Sequence, residues 1–218
     1  MKKATIFDLD GTLADTIEDI ANAVNRMLSR RGLPEHNLAR YKLMVGEGFR
    51  NLVTRALPDN LRDENYIEGA RAEASADYAL RCLERSAPYP GIRELLAALA
   101  AKGVAFAVLS NKPDALTKKV IAGLFPEESF AFVRGEMEGF PRKPDPASAL
   151  DLCARMGASP DETLYLGDSG VDMKTATAAG FTALGALWGF RGEKELSEAG
   201  ADALLDKPLD LLQYLDGK

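Results

Sequence analysis

Four short runs that are apolar at nearly every position, residues 4–7, 104–109, 163–166 and 182–187, constrain the fold of this chain more than any other feature. Alternation of apolar and polar residues suits a sheet with one wet face. A continuous apolar run suits a strand covered on both faces, as in a parallel sheet. Between and after these runs, residues 92–101, 114–123, 146–156 and 171–179 carry apolar positions at helical spacing. Residues 130–134 read as one more short strand and 208–215 as a closing helix. Strands alternating with helices, joined by right-handed crossovers, predict an α/β fold: a doubly wound parallel-sheet, Rossmann-like core.

Residues 15–85 break this rhythm. Ile17, Ile20, Ala21, Val24 and Leu28 recur at helical spacing before Gly32, and 34–85 reads as further helices without a strand. The expected organisation is therefore an α/β core of residues 1–14 and 86–218, with an all-helical domain of residues 15–85 inserted after the first strand.

Composition removes several chemistries. The single histidine, His36, rules out a multi-histidine metal site and would have to be the base of any Ser-His-Asp hydrolase. Cys82 and Cys153 are too few for a disulfide framework and wrongly spaced for zinc, so a reduced, cytoplasmic protein is expected. A net charge of −6, with no basic block, argues against nucleic-acid binding. No stretch approaches the roughly 20 apolar residues that cross a bilayer, and no signal-peptide pattern is present, so no membrane partner is expected.

What remains is carboxylates, hydroxyls and lysine, and these cluster where a parallel sheet would use them. Ligands of such sheets bind beyond the carboxyl ends of the strands. Asp8-Leu9-Asp10-Gly11-Thr12, Ser110-Asn111-Lys112 and Gly167-Asp168-Ser169-Gly170-Val171-Asp172 each follow a predicted strand. Arg142-Lys143-Pro144-Asp145-Pro146 opens a helix. Brought to one edge, they suit phosphoryl transfer, which depends on positioning and on neutralising charge around phosphorus. Carboxylates gathered beside a phosphate need a hard divalent cation, Mg²⁺ for preference. One carboxylate can act as nucleophile, and a second can move the protons.

In this order and spacing, the four segments resemble the motifs of the haloacid dehalogenase superfamily. The resemblance implies that Asp8 is the nucleophile and a metal ligand. It makes Asp10 the acid/base, binding metal through its main-chain carbonyl. Thr12 and Ser110 would contact the phosphoryl group with Asn111 adjacent, and Lys143 would neutralise charge. Asp168 would ligate Mg²⁺, and Asp172 would support that ligation directly or through water. An acid at position 10 favours oxygen–phosphorus chemistry over the dehalogenase and phosphonatase branches.

The helical insert resembles the superfamily's first class of cap domain. Its segment 45–53, with Gly46, Gly48 and then Arg50, is similar to the cap segment of phosphoglycolate phosphatases, which makes Arg50 the candidate for a substrate's anionic group. Trp188-Gly189-Phe190-Arg191 resembles another loop of those enzymes. The expected activity is hydrolysis of a small phosphorylated metabolite such as 2-phosphoglycolate by a monomer or homodimer. A phosphosugar mutase, a pyrophosphatase or nucleotidase, and an inactive phospholigand-binding module share the motifs and stay open.

Overall fold

The computed structural model describes residues 1–216. In chain order the strands are β1 (Ala4–Phe7), β2 (Ala14–Asp15), β3 (Ala87–Pro88), β4 (Ala105–Pro113), β5 (Phe132–Glu136), β6 (Thr163–Gly167), β7 (Thr182–Ala186) and β8 (Ala203–Leu205). The α-helices are α1 (Ile17–Arg30), α2 (Leu38–Met44), α3 (Phe49–Ala56), α4 (Glu64–Arg81), α5 (Ile92–Ala101), α6 (Asp114–Leu124), α7 (Ala147–Arg155), α8 (Gly170–Ala179) and α9 (Glu193–Glu198). Six strands form one parallel sheet in the order β5-β4-β1-β6-β7-β8.

The continuous apolar runs are buried on both faces because successive side chains point to opposite sides of the sheet. Phe7, Val108 and Leu166 enter one apolar cluster, with Leu95, Leu96 and Leu99 of α5 and Val120 and Ile121 of α6. Their neighbours Ile6, Ala107 and Tyr165 enter the other, with Leu152 of α7 and Met173 and Ala176 of α8. Two short elements at the far edge, α9 and β8, carry too few residues to show a period. The closing segment Pro208–Tyr214 is a 3-10 helix rather than an α-helix.

Helices α1 to α4 lie between β2 and β3, which pair antiparallel, so the chain leaves the sheet layer and returns at one place. The helices pack through Val24, Met27, Tyr41, Leu52, Val53, Ala70, Ala74 and Tyr78, all buried in the same cluster as Phe7. Asp19 on α1 fixes the return strand. Its buried carboxylate accepts the Ser86 N–H at 2.9 Å, the Ser86 hydroxyl at 2.7 Å and the Arg85 N–H at 3.0 Å.

Removing that acceptor leaves buried donors without partners, at about 1–3 kcal/mol each. Asp19→Ala should therefore lower the denaturant midpoint by the equivalent of a few kcal/mol, while Asp19→Asn, which keeps one acceptor oxygen, should lose less. Equal midpoints for wild type and Asp19→Ala would show that water replaces the carboxylate at the crossing.

Candidate active site

Sheet register delivers the polar residues to one edge. Phe7 is level with Val108 of β4 and with Leu166 of β6. Asp8, Leu109 and Gly167 therefore come next together, and Ser110 and Asp168 one step later. From β1 the chain order runs outward through β4 on one side and β6 on the other, the switch point at which open sheets bind ligands. Pairing of β4 with β5 is irregular between Leu109 and Pro113, the stretch holding Ser110, Asn111 and Lys112.

Lys143, from the loop before α7, is the charge at the centre. Its ammonium lies 2.9 Å from Asp8 Oδ1 and 2.7 Å from Asp172 Oδ1, and all three side chains are buried. Asp172 is held further by the Tyr165 hydroxyl at 3.2 Å and by the Ser169 hydroxyl at 2.6 Å and N–H at 3.2 Å. With donors on both oxygens, Asp172 anchors the lysine and the first turn of α8.

Asp168 is gripped from two loops. Its Oδ2 accepts the Phe190 N–H at 2.7 Å, and its Oδ1 the Thr12 hydroxyl at 3.3 Å. A Cβ on Gly11, whose φ is +89°, would stand 2.3 Å from Asp168 Oδ2, and one on Gly189 would stand 2.2 Å from Asp168 Cβ. Both backbones come that close only because neither residue has a side chain. The Trp188 indole donates to the Thr12 carbonyl at 3.0 Å, joining the 188–191 loop to the loop after β1.

Carboxylate oxygens of Asp8, Asp168 and Asp172 lie within 4.8 Å of one another. Burial pushes the Asp8 carboxyl up to about 7, against the pull of Lys143 and with a further push from Asp172 and Asp10. Burial, then the charges of Asp172 and Asp8, push Asp168 well above the usual carboxylate range. Burial pulls Lys143 down, but Asp172 and Asp8 outweigh it and hold the ammonium protonated. Three acids share one ammonium, and a further cation would offset the burial and repulsion that raise Asp8 and Asp168. An all-oxygen donor set of this kind fits a hard divalent cation such as Mg²⁺.

The Asp10 carboxylate lies outside this cluster. It accepts the Thr16 hydroxyl at 2.6 Å and the ammonium of Lys112, which also donates to the Tyr78 hydroxyl of α4 at 2.8 Å. Sequence reading left Lys112 without a role. The one signal was its place directly after a buried apolar strand, where a lysine needs a paired carboxylate.

A cavity opens above these residues, with Asp8, Asp10, Ser110, Asn111, Lys112 and Asp168 on the sheet side. Helices α1 and α3 contribute Ile20, Phe49 and Leu52, the α2–α3 loop contributes Val45, Gly46 and Gly48, and the loop after β7 contributes Phe190 and Arg191. Ser110 Oγ accepts the Lys112 N–H at 3.2 Å, which leaves its hydroxyl hydrogen for a ligand. Three expected substrate contacts sit differently. The Thr12 hydroxyl is fully buried and spent on Asp168. Both amide hydrogens of Asn111 go to carbonyls, of Gly46 and Lys143 at 3.0 Å each, and its oxygen takes the Lys143 N–H at 2.9 Å. It positions backbone and has no donor left for phosphate. Arg50 is outside the cavity lining; its guanidinium pairs with Glu64 at 2.6 Å and Glu68 at 3.0 Å.

Residues 5–186 match the haloacid dehalogenase-like hydrolase family, and the chain belongs to it. It is 34% identical to a phosphoglycolate phosphatase of Aquifex aeolicus, over 98% of this chain and 97% of that one. It is 33% identical to an N-acetylmuramic acid 6-phosphate phosphatase of Pseudomonas aeruginosa, over 98% and 95% of the two chains. A crystal structure from Lactobacillus delbrueckii subsp. bulgaricus, provisionally named a phosphoglycolate phosphatase, superposes with a TM-score of 0.92 at 30% identity, covering both chains completely.

Ionising Asp8 costs the fold, because its pKa of about 7 stands above the ordinary 3.8. The stability it contributes is fully present below about pH 4 and is lost as pH rises through the folded value. Asp8→Asn mimics the neutral acid, so in chelator its Tm should exceed that of wild type at pH 8 by more than at pH 5. A Tm difference independent of pH would show that Asp8 ionises without cost.

Proposed function

We propose that the chain is a Mg²⁺-dependent phosphatase that hydrolyses a small phosphate monoester, 2-phosphoglycolate foremost, through an aspartyl-phosphate on Asp8. The observation that carries this reading is the pairing of Asp8 with Lys143 at 2.9 Å on the wall of a cavity that Asp10 and Ser110 also line. A buried carboxylate beside a fixed ammonium, with a second acid two residues on, is the equipment for two in-line displacements at phosphorus.

In the first, an Asp8 oxygen forms a bond to phosphorus as the ester P–O bond breaks, and Asp10 delivers a proton to the leaving oxygen. In the second, Asp10 takes a proton from water, whose oxygen bonds to phosphorus while the bond to Asp8 breaks and phosphate departs. Lys143 and the Ser110 hydroxyl balance charge on the phosphoryl oxygens. Thr16 and Lys112 fix the position of the Asp10 carboxylate. Asp8, Asp168 and the Asp10 carbonyl would hold Mg²⁺, with Asp172 in support. Bound there, the ion supplies positive charge to the phosphoryl oxygens.

The cavity wall given by the helices supports a small, non-sugar leaving group. Ile20, Val45, Gly46, Gly48, Phe49 and Leu52 offer no polar side chain to sugar hydroxyls, which would lose water without gaining partners. The helical domain acts as a cap that excludes water from the nucleophile.

Phosphate release from 2-phosphoglycolate, N-acetylmuramic acid 6-phosphate, glucose 6-phosphate and an aryl phosphate should rank the first highest, vanish in chelator and return with Mg²⁺. Asp8→Asn should abolish release, and Asp10→Ala should slow it by about 10²–10⁴-fold. Near-wild-type release by Asp8→Asn refutes the covalent route. Sugar-phosphate interconversion without matching phosphate release points to a mutase instead.

A further inference from the structure

Arg191 follows β7 in the core loop that grips Asp168, and its guanidinium reaches across to the helical domain. Nη2 donates to the Val45 carbonyl at 2.9 Å and the Leu43 carbonyl at 3.1 Å. Nε lies 3.2 Å from Glu195 Oε2. Nη1 is buried and has no hydrogen-bond partner among the described residues. Leaving a charged donor buried and unpaired is costly, and such a group is satisfied when an anion arrives.

Arg191 also lines the cavity that holds Asp8 and Asp10. The other cation there, Lys112, is committed to Asp10 and Tyr78. Among the described cavity-lining residues, Arg191 is therefore the one cation with a nitrogen that has no hydrogen-bond partner. Its backbone neighbour Phe190 donates to Asp168 at 2.7 Å, so this donor sits on the chain next to the catalytic carboxylates. Asp8 and Ser110 line the same cavity, so a phosphoryl group there and an anion at Arg191 can belong to one molecule. The surrounding apolar side chains leave few competing donors for that anion.

We propose that Arg191 is the specificity residue of this cavity: its unpaired Nη1 binds the carboxylate of a short phosphorylated acid while its Nη2 holds the helical domain through Leu43 and Val45. The ligand class is a phosphate monoester whose leaving group carries a carboxylate a few bonds from phosphorus. This rests on the reading of the cavity as a phosphoryl-transfer site. Recognition and closure then meet on one guanidinium, and an ester without a second anion leaves Nη1 unpaired.

The test compares 2-phosphoglycolate with 4-nitrophenyl phosphate, both in Mg²⁺. A charge-assisted hydrogen bond contributes about 1.5–3 kcal/mol, or roughly 10- to 100-fold. Arg191→Ala should lower kcat/KM for 2-phosphoglycolate by about that factor, chiefly through KM, and should lower it severalfold less for the aryl ester. Calorimetry adds a reading free of turnover: the variant should lose the preference of wild type for phosphonoacetate over methylphosphonate. Should Arg191→Ala fail to fold, Arg191→Gln, which keeps a donor to Leu43 and Val45 but no charge, carries the same comparison. Equal losses on both esters, no loss on either, or a retained phosphonoacetate preference overturn the proposal. Wild type that hydrolyses neither ester overturns the phosphatase reading itself, an outcome distinct from those.

Discussion

The Lys143 ammonium, wedged between Asp8 and Asp172, is the interaction on which the rest of the site depends. Parallel strands bring acids from the ends of β1 and β6 into a largely buried space, where mutual repulsion and desolvation oppose ionisation. One buried cation offsets part of that cost. Its own position is set by Asn111, which clasps the Lys143 backbone on both its N–H and its carbonyl. Asp172 is steadied in turn by Tyr165 and Ser169. A lysine fixed by backbone is a stronger electrostatic device than one that swings, because no reorganisation is needed when charge develops.

Two loops close tightly around Asp168. Thr12, Phe190, Gly11 and Gly189 all meet that side chain, and Trp188 ties the two loops together. Their donors and close backbone contacts fix where its oxygens point.

Of the ties that join the helical domain to the core, three start from residues beside the chemistry. Asn111 reaches the Gly46 carbonyl, Lys112 the Tyr78 hydroxyl, and Arg191 the Leu43 and Val45 carbonyls. Between them the helical wall is apolar. Polar ties give the domain a definite seat, and the apolar wall keeps water out once it is seated. Movement of the cap must therefore disturb the partners of Asp10 and Lys143, which couples access to catalytic geometry.

The sequence by itself determined the layered α/β core and the absence of a strand over residues 34–85. Runs such as 4–7 and 163–166 are apolar throughout because both faces of their strands are buried, and acids directly after such runs have to lie at the sheet edge. It did not reveal β8, three residues long, or the β2–β3 crossing, since neither is long enough to show a period. Side-chain partners were likewise hidden. Arg50 follows a glycine-rich helix start, as an anion site would, yet Glu64 and Glu68 on α4 claim it. Asn111 and Thr12 stand within the motifs but spend their polar groups on backbone and on Asp168. Only the tertiary structure decided these, because a donor's partner depends on which helix or loop packs against it. That packing separates Arg50, half-buried with its guanidinium paired, from Arg191, half-buried with one buried nitrogen left unpaired.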